Sequence, residues 1–195
     1  MNKIAVEGEN RKEKGSIVNG TNDREAYPKR WIAMLVQVNC EKKTAIRLGK
    51  VGYETYIPTQ QEVHQWSDRK KKVDRLIMPM VVFVRATVRE EVWLRDQSYI
   101  YKLLALPGSD EDKKKFATPI PDNQIERLQF LLENAESEVT IVSNFKVGDS
   151  VRVISGPLKG LEGVVSEAEE KSSIVAIQID GLGYACVKIL KGCLT

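Results

Sequence analysis

From Phe145 onward the chain consists of short β-branched stretches broken by glycine at close intervals, and this pattern folds as a small β-barrel. Val151, Val153 and Ile154 form one such stretch, Val164 and Val165 a second, residues 173–179 a third and residues 185–189 a fourth. Gly148, Gly156, Gly160, Gly181 and Gly183 punctuate them. Gly148 and Asp149 suit the turn into the first strand, after which Val151 and Val153 share a face. Gly156-Pro157 and Gly160 shape a protruding loop, and Gly163 relieves crowding where the next strand bends. The two glycines at 156 and 160 are followed by no Gly-Lys-Ser/Thr, so a nucleotide-binding loop is excluded. Ile and Val alternate over 174–179, which favours strands over helices and predicts a barrel that forms constitutively.

The preceding part has a different grammar. Residues 31–38 are a continuous apolar run of strand length, as in a central strand buried on both faces. Asn39 is placed to cap a helix through Lys50, with Glu41 in its first turn, Ala45, Leu48 and Val51 as its stripe and Gly52 as its stop. A strand from Tyr53 to Pro58, extending toward Trp66, and a second over 76–84 form a long hairpin with a charged tip. Pro79 interrupts it and must sit at an edge or bulge. Thr87 and Glu90 match a capping box that opens a short helix carrying Val92 and Trp93. A last strand spans 101–106, closed by Pro107-Gly108. Asp122 is a natural N-cap for a helix bearing Ile125, Leu128 and Leu132.

The expected organisation is therefore a disordered tail over 1–29, an α+β domain over 30–133, a linker over 134–144 and an all-β barrel over 145–195. No run of about 18 apolar residues is present, and the polar first 29 residues lack the apolar segment of a signal peptide, so no membrane contact and a cytoplasmic location are expected. Cys40, Cys186 and Cys193 are an odd number without C-x-x-C spacing, and His64 is the single histidine. No metal site, no cofactor and no catalytic constellation follow from such a set; the cysteines read as reduced, small apolar groups.

Net charge is only +3, yet residues 68–75 alone carry five positive and two negative side chains, a surplus as large as that of the whole chain. One hairpin tip is basic. The barrel segment 145–195 holds six positive and six negative residues, which favours a protein partner over RNA.

Residues 145–165 closely resemble the KOW motif of bacterial NusG proteins and of several ribosomal proteins. Trp31 opening the first strand, Glu41 beginning the first helix, Pro58, Pro79 with Phe83 and Val84, and the Pro119–Asp122 segment resemble the NusG N-terminal (NGN) domain. The resemblance covers roughly 30–195 and implies an NGN-type antiparallel sheet flanked by helices, followed by an SH3-like KOW barrel. Met78-Pro79-Met80-Val81 stands where the general factors usually carry Phe-Pro-Gly-Tyr, and Leu35, Val81 and Leu104 are aliphatic where aromatics are usual. In this the chain resembles specialised paralogues, above all the UpxY-type antiterminators of Bacteroidales capsular polysaccharide operons.

The resemblance implies a non-enzymatic, monomeric transcription elongation and antitermination factor that grips the RNA polymerase clamp and suppresses pausing or termination. It places the grip at Leu35, Pro79, Val81, Phe83, Leu104 and Leu106. Lys70, Lys71, Lys72 and Arg75 would touch upstream or non-template DNA, or leader RNA, with Trp66 as the stacking residue; Trp31 and Trp93 read as core. The barrel loop Ser155, Gly156, Pro157, Leu158, Lys159, Gly160 and Leu161 would recruit a ribosomal protein or a termination factor. The alternative is a free-standing RNA-binding or ribosome-associated KOW protein.

Overall fold

The computed structural model describes residues 28–65, 70–105, 116–146, 148–167 and 171–195. The tail expected over 1–29 lies almost wholly outside the described residues, as do Trp66, Leu106 and Pro107-Gly108.

Two β-rich units result, each with its own sheet. In the first, β1 (Arg30–Val36), β2 (Glu54–Tyr56), β5 (Val81–Ala86) and β6 (Ile100–Leu103) form an antiparallel sheet of order β2-β5-β1-β6. The helices α1 (Glu41–Lys50) and α2 (Val88–Arg95) lie on one face, and α3 (Asp122–Asn134) on the other. Strand periodicity sorts β5 between the two layers. Val82 and Val84 join Ile32, Met34, Leu48 and Leu94 on the α1/α2 side, while Val81 and Phe83 join Trp31, Ala33, Ile125 and Leu128 on the α3 side.

The long hairpin is present but broken at both prolines. Its outer half, β3 (Thr59–Gln65) and β4 (Lys70–Leu76), forms a separate two-stranded sheet, and its inner half is the β2–β5 pair. Pro79 thus occupies the turn between β4 and β5 rather than a strand. At the hinge the Ile77 N–H donates to the Pro58 carbonyl at 3.0 Å.

Two caps differ from expectation. Asn39 does not cap α1; it turns the chain at φ 59°, and Cys40 occupies the N-cap position without a side-chain capping bond. Asp122 is the first residue of α3 rather than its cap, and its carboxylate pairs with Arg85 at 3.0 Å. The Thr87–Glu90 capping box is complete: the Glu90 carboxylate accepts from Thr87 N at 2.8 Å, and Thr87 Oγ1 accepts from Glu90 N at 3.3 Å.

The second unit contains β7 (Thr140–Val142), β8 (Ser150–Arg152), β9 (Glu162–Glu167), β10 (Ser172–Ile179) and β11 (Gly183–Leu190) in the order β7-β11-β10-β9-β8. The C-terminal residues close it, with Arg152 and Thr195 exchanging backbone hydrogen bonds at 3.2 and 3.1 Å. Gly163 is needed for the reason its sequence position suggests, since a Cβ there would lie 2.7 Å from the Ala176 carbonyl oxygen. β7 pairs with β11 inside the segment expected as linker, so the barrel begins at Thr140 and the true connection is shorter.

The units share one apolar cluster. It runs from Trp31 and Phe83 through Ile125, Leu128 and Leu131 of α3 into Val153, Leu161, Val175 and Ile177 of the barrel. Arg127 pairs with Glu162 at 2.7 Å, and the Gln124 side-chain carbonyl accepts from the Asp180 N–H at 2.9 Å. α3 is thus a shared wall between sheet and barrel.

Candidate functional site

The residues expected to grip a partner do not form one exposed surface. Val81 and Phe83 are buried, Phe83 completely, with the Tyr56 ring stacked on it at 5.9 Å. The reason is strand position. β5 has a neighbour on each side and a helix layer on each face, so residues of either parity are enclosed. Phe83 and Val81 are core residues, which corrects their reading as direct contacts. Leu35 and Leu104 are half-buried at the margin of the same cluster, and Pro79 is exposed. Burial raises the Tyr56 phenol above its ordinary pKa, and the Glu133 carboxylate adds to the shift, so this ring stays neutral.

The turn carrying Pro79 is held firmly. The Glu41 side chain is buried and accepts from the Met80 N–H at 2.7 Å, and the Met80 carbonyl accepts from Val36 N at 2.9 Å. Met80 takes φ 66°, a left-handed conformation that costs a residue with a Cβ about 1 kcal/mol. Glu41 therefore works as a buckle between α1 and this turn. Its place in the first helical turn was visible in the sequence, its distant partner was not.

The basic residues divide. Lys71 and Lys72 are exposed on β4, opposite His64 and Val63 in register, and Lys70 opens the strand. Arg75 stands at the base rather than the tip. It ion-pairs with Glu62 and with Glu138 (3.1 Å), and donates to the Gln60 side chain at 3.3 Å and the Val139 carbonyl at 3.1 Å. Its charge is already satisfied inside the molecule, so it does not belong with the lysines as a ligand contact. Trp31 is core, as expected. Trp93, also expected in the core, is 40% exposed and stacks on Tyr53 at 5.6 Å. The interleaving of α2's polar and apolar residues concealed this.

In the barrel loop, Leu158 and Leu161 are buried and anchor it, while Ser155, Gly156, Pro157, Lys159 and Gly160 are exposed. Gly156 and Gly160 adopt φ 82° and 95°, so the loop's projection depends on glycine at both. Burial raises the Cys186 thiol pKa, consistent with a small apolar role. Among the described residues, no group of three or more His, Cys, Asp or Glu side chains gathers to hold a metal, and no helix is long and apolar enough to cross a membrane.

Comparison with known families accounts for this arrangement. The family model described as transcription termination factor nusG matches residues 29–129, just over half the chain. The chain belongs to the NusG family. The KOW motif model matches residues 147–179 of this NusG-family chain. The transcription termination/antitermination protein NusG of Vibrio vulnificus is 25% identical over 83% of this chain and 91% of its own length. That of Pseudomonas aeruginosa is 30% identical, over 66% of this chain and 71% of its own. The solved structure reporting domain interaction in Thermotoga maritima NusG is 22% identical, with a TM-score of 0.48, and aligns over 85% of this chain and 96% of that one. The chain is thus a NusG-like transcription termination/antitermination factor, in a family of transcription factors rather than enzymes.

Proposed function

We propose that this factor binds RNA polymerase at the clamp through its N-terminal domain and suppresses pausing or termination at a dedicated operon of the capsular polysaccharide kind. It acts as a cytoplasmic monomer without a cofactor. The observation that carries this reading is the turn over 77–80. Where general NusG factors resemble one another in Phe-Pro-Gly-Tyr, this chain keeps the proline, exposes it, and holds Met80 in a left-handed conformation natural to the glycine it replaces. Met78 and Val81 of the same stretch are buried, so the surface this turn offers a partner consists of Pro79 and the half-buried Met80, an apolar pair without an aromatic ring. Leu35 and Leu104 complete the contact beside Pro79, with Val81 and Phe83 beneath as support.

Lys70, Lys71 and Lys72 track nucleic-acid phosphates near the polymerase, with Trp66, close to them in sequence, as a stacking residue. The exposed barrel loop, in a domain of balanced charge, takes a protein partner such as a ribosomal protein or termination factor.

The test is a titration of purified RNA polymerase with the full chain and with Pro79→Glu, which sets a charge on the proposed apolar contact. Binding weakens at least about tenfold while the unfolding midpoint holds. Equal affinity would remove the turn from the interface. Transcription on a capsular-operon template and on a ribosomal-operon template then separates a dedicated factor from a general one.

A further inference from the structure

The short connection between the two units is held along its length by the base of the basic hairpin. Gln60, on β3, is almost fully buried, and its amide is used on both sides. Its Nε2 donates to the Ser137 carbonyl at 2.8 Å and, more weakly, to the Ala135 carbonyl at 3.4 Å. Its Oε1 accepts from the Val139 N–H at 3.0 Å and from Arg75 at 3.3 Å. Arg75 lies directly opposite Gln60 in the β3–β4 register, and it also donates to the Val139 carbonyl and pairs with Glu138. Residues 135, 137 and 139 thus present backbone groups to two hairpin side chains, as an added strand would, but through side chains instead of a ladder.

This grip ends one residue before β7, the first strand of the barrel. On the other side of the connection, Ser137 Oγ donates to the Lys188 carbonyl at 3.0 Å. Fixing Val139 therefore fixes where the barrel begins, beside α3, where Gln124 meets Asp180 and Arg127 meets Glu162. The same placement closes the barrel loop into a cleft. Ser155, Gly156, Pro157 and Leu158 line one side, and Asn134, Glu136 and Ser137 the other.

We propose that Gln60 and Arg75 form an interdomain clasp that keeps the barrel seated on α3 and restricts access to the 155–158 side of its loop. With the clasp open, residues 135–139 keep only the Ser137–Lys188 bond, and the shared apolar cluster and the polar contacts to α3 hold the barrel against a looser connection. The clasp itself does not depend on what the loop binds; its effect on partner access rests on the reading of 155–161 as a partner loop.

Two backbone amides report the two halves of the proposal. The Val139 N–H is bonded to the clasp, and the Asp180 N–H is bonded across the domain contact. Hydrogen exchange resolved by residue is measured on the full chain and on Gln60→Ala, with amides of β1 and β10 as controls for folding. Exchange at both Val139 and Asp180 accelerates at least about tenfold while the controls hold. Faster exchange at Val139 with Asp180 unchanged would overturn the proposal, as would no change at either. Gln60→Glu supplies an independent reading should Gln60→Ala unfold the domain. It keeps the acceptor for Val139 but cannot donate to the Ala135 and Ser137 carbonyls, so Asp180 should still exchange faster, and its failure to do so overturns the clasp.

Discussion

β4 and β5 are consecutive strands separated by four residues, one mostly charged with Val73 as its single β-branched residue and the other mostly apolar, and they have opposite fates. β5 is enclosed on both faces, with Val82, Phe83 and Val84 fully buried. β4 has a single partner, and even its Val73 remains 38% exposed. The difference lies in the company each strand keeps. An isolated two-stranded ribbon is marginal in water, so β3–β4 relies on its base, where Gln60 and Arg75 join it to the chain between the domains. A strand fed into a four-stranded sheet with helices on both sides becomes core whatever its place in a family's contact surface. Interface potential in this molecule therefore resides on margins and projections.

The sharpest way to break this contrast is to truncate one side chain on each strand. Phe83→Ala should cost about 3–5 kcal/mol, measured by denaturant unfolding, because it empties a volume enclosed by Trp31, Tyr56 and α3. Val73→Ala should stay within about 0.5 kcal/mol. If Phe83→Ala left stability unchanged and weakened polymerase binding instead, the surface reading of β5 would return and the contrast would collapse.

A smaller effect is expected on β4. Lys71 and Lys72 are exposed, whereas Arg75 is bound internally. Replacing both lysines with alanine should lower the salt dependence of nucleic-acid binding by a slope of up to about two, with stability unchanged. Arg75→Ala should act oppositely, loosening the hairpin base while changing the slope little. A slope that falls by about one in Arg75→Ala, half the drop of the double lysine variant, would make Arg75 a ligand contact after all.

The two strands also show where sequence reading works. The apolar run of β5, the capping box at Thr87 and the glycine rhythm of the barrel are local signals, and each element forms close to where they point. Parity placed Val81 and Phe83 on one face correctly but could not say whether that face is covered, since α3 and the barrel that enclose it lie 40 or more positions downstream. Arg75 shares a run of charge with Lys71 and Lys72, and its partners Glu138 and Val139 are equally remote. β7 was hidden because three residues, Thr140 to Val142, give too short a pattern to distinguish a strand from a linker. What stayed illegible is contact across long sequence separation.

The smallest effect sits at the joint between the strands and asks whether the turn or its side chain matters. Met80 occupies φ 66°, with its N–H on Glu41 and its carbonyl on Val36, so the surrounding bonds define the conformation and the residue tolerates it. Glycine adopts that region freely but loses more conformational entropy on folding, and Met80→Gly also surrenders a half-buried side chain. Relief of the left-handed strain, about 1 kcal/mol, is therefore offset in part, leaving a gain of roughly 0.5 kcal/mol or less in thermal or denaturant unfolding. Because the turn's backbone is unchanged, polymerase affinity should move only through the lost Met80 side chain. A variant both more stable and weaker in binding would show that Met80 is kept for contact at the expense of the fold. A variant that is less stable would mean that burial of the Met80 side chain outweighs the strain, and that the turn joining β4 and β5 is held by more than the Glu41 buckle.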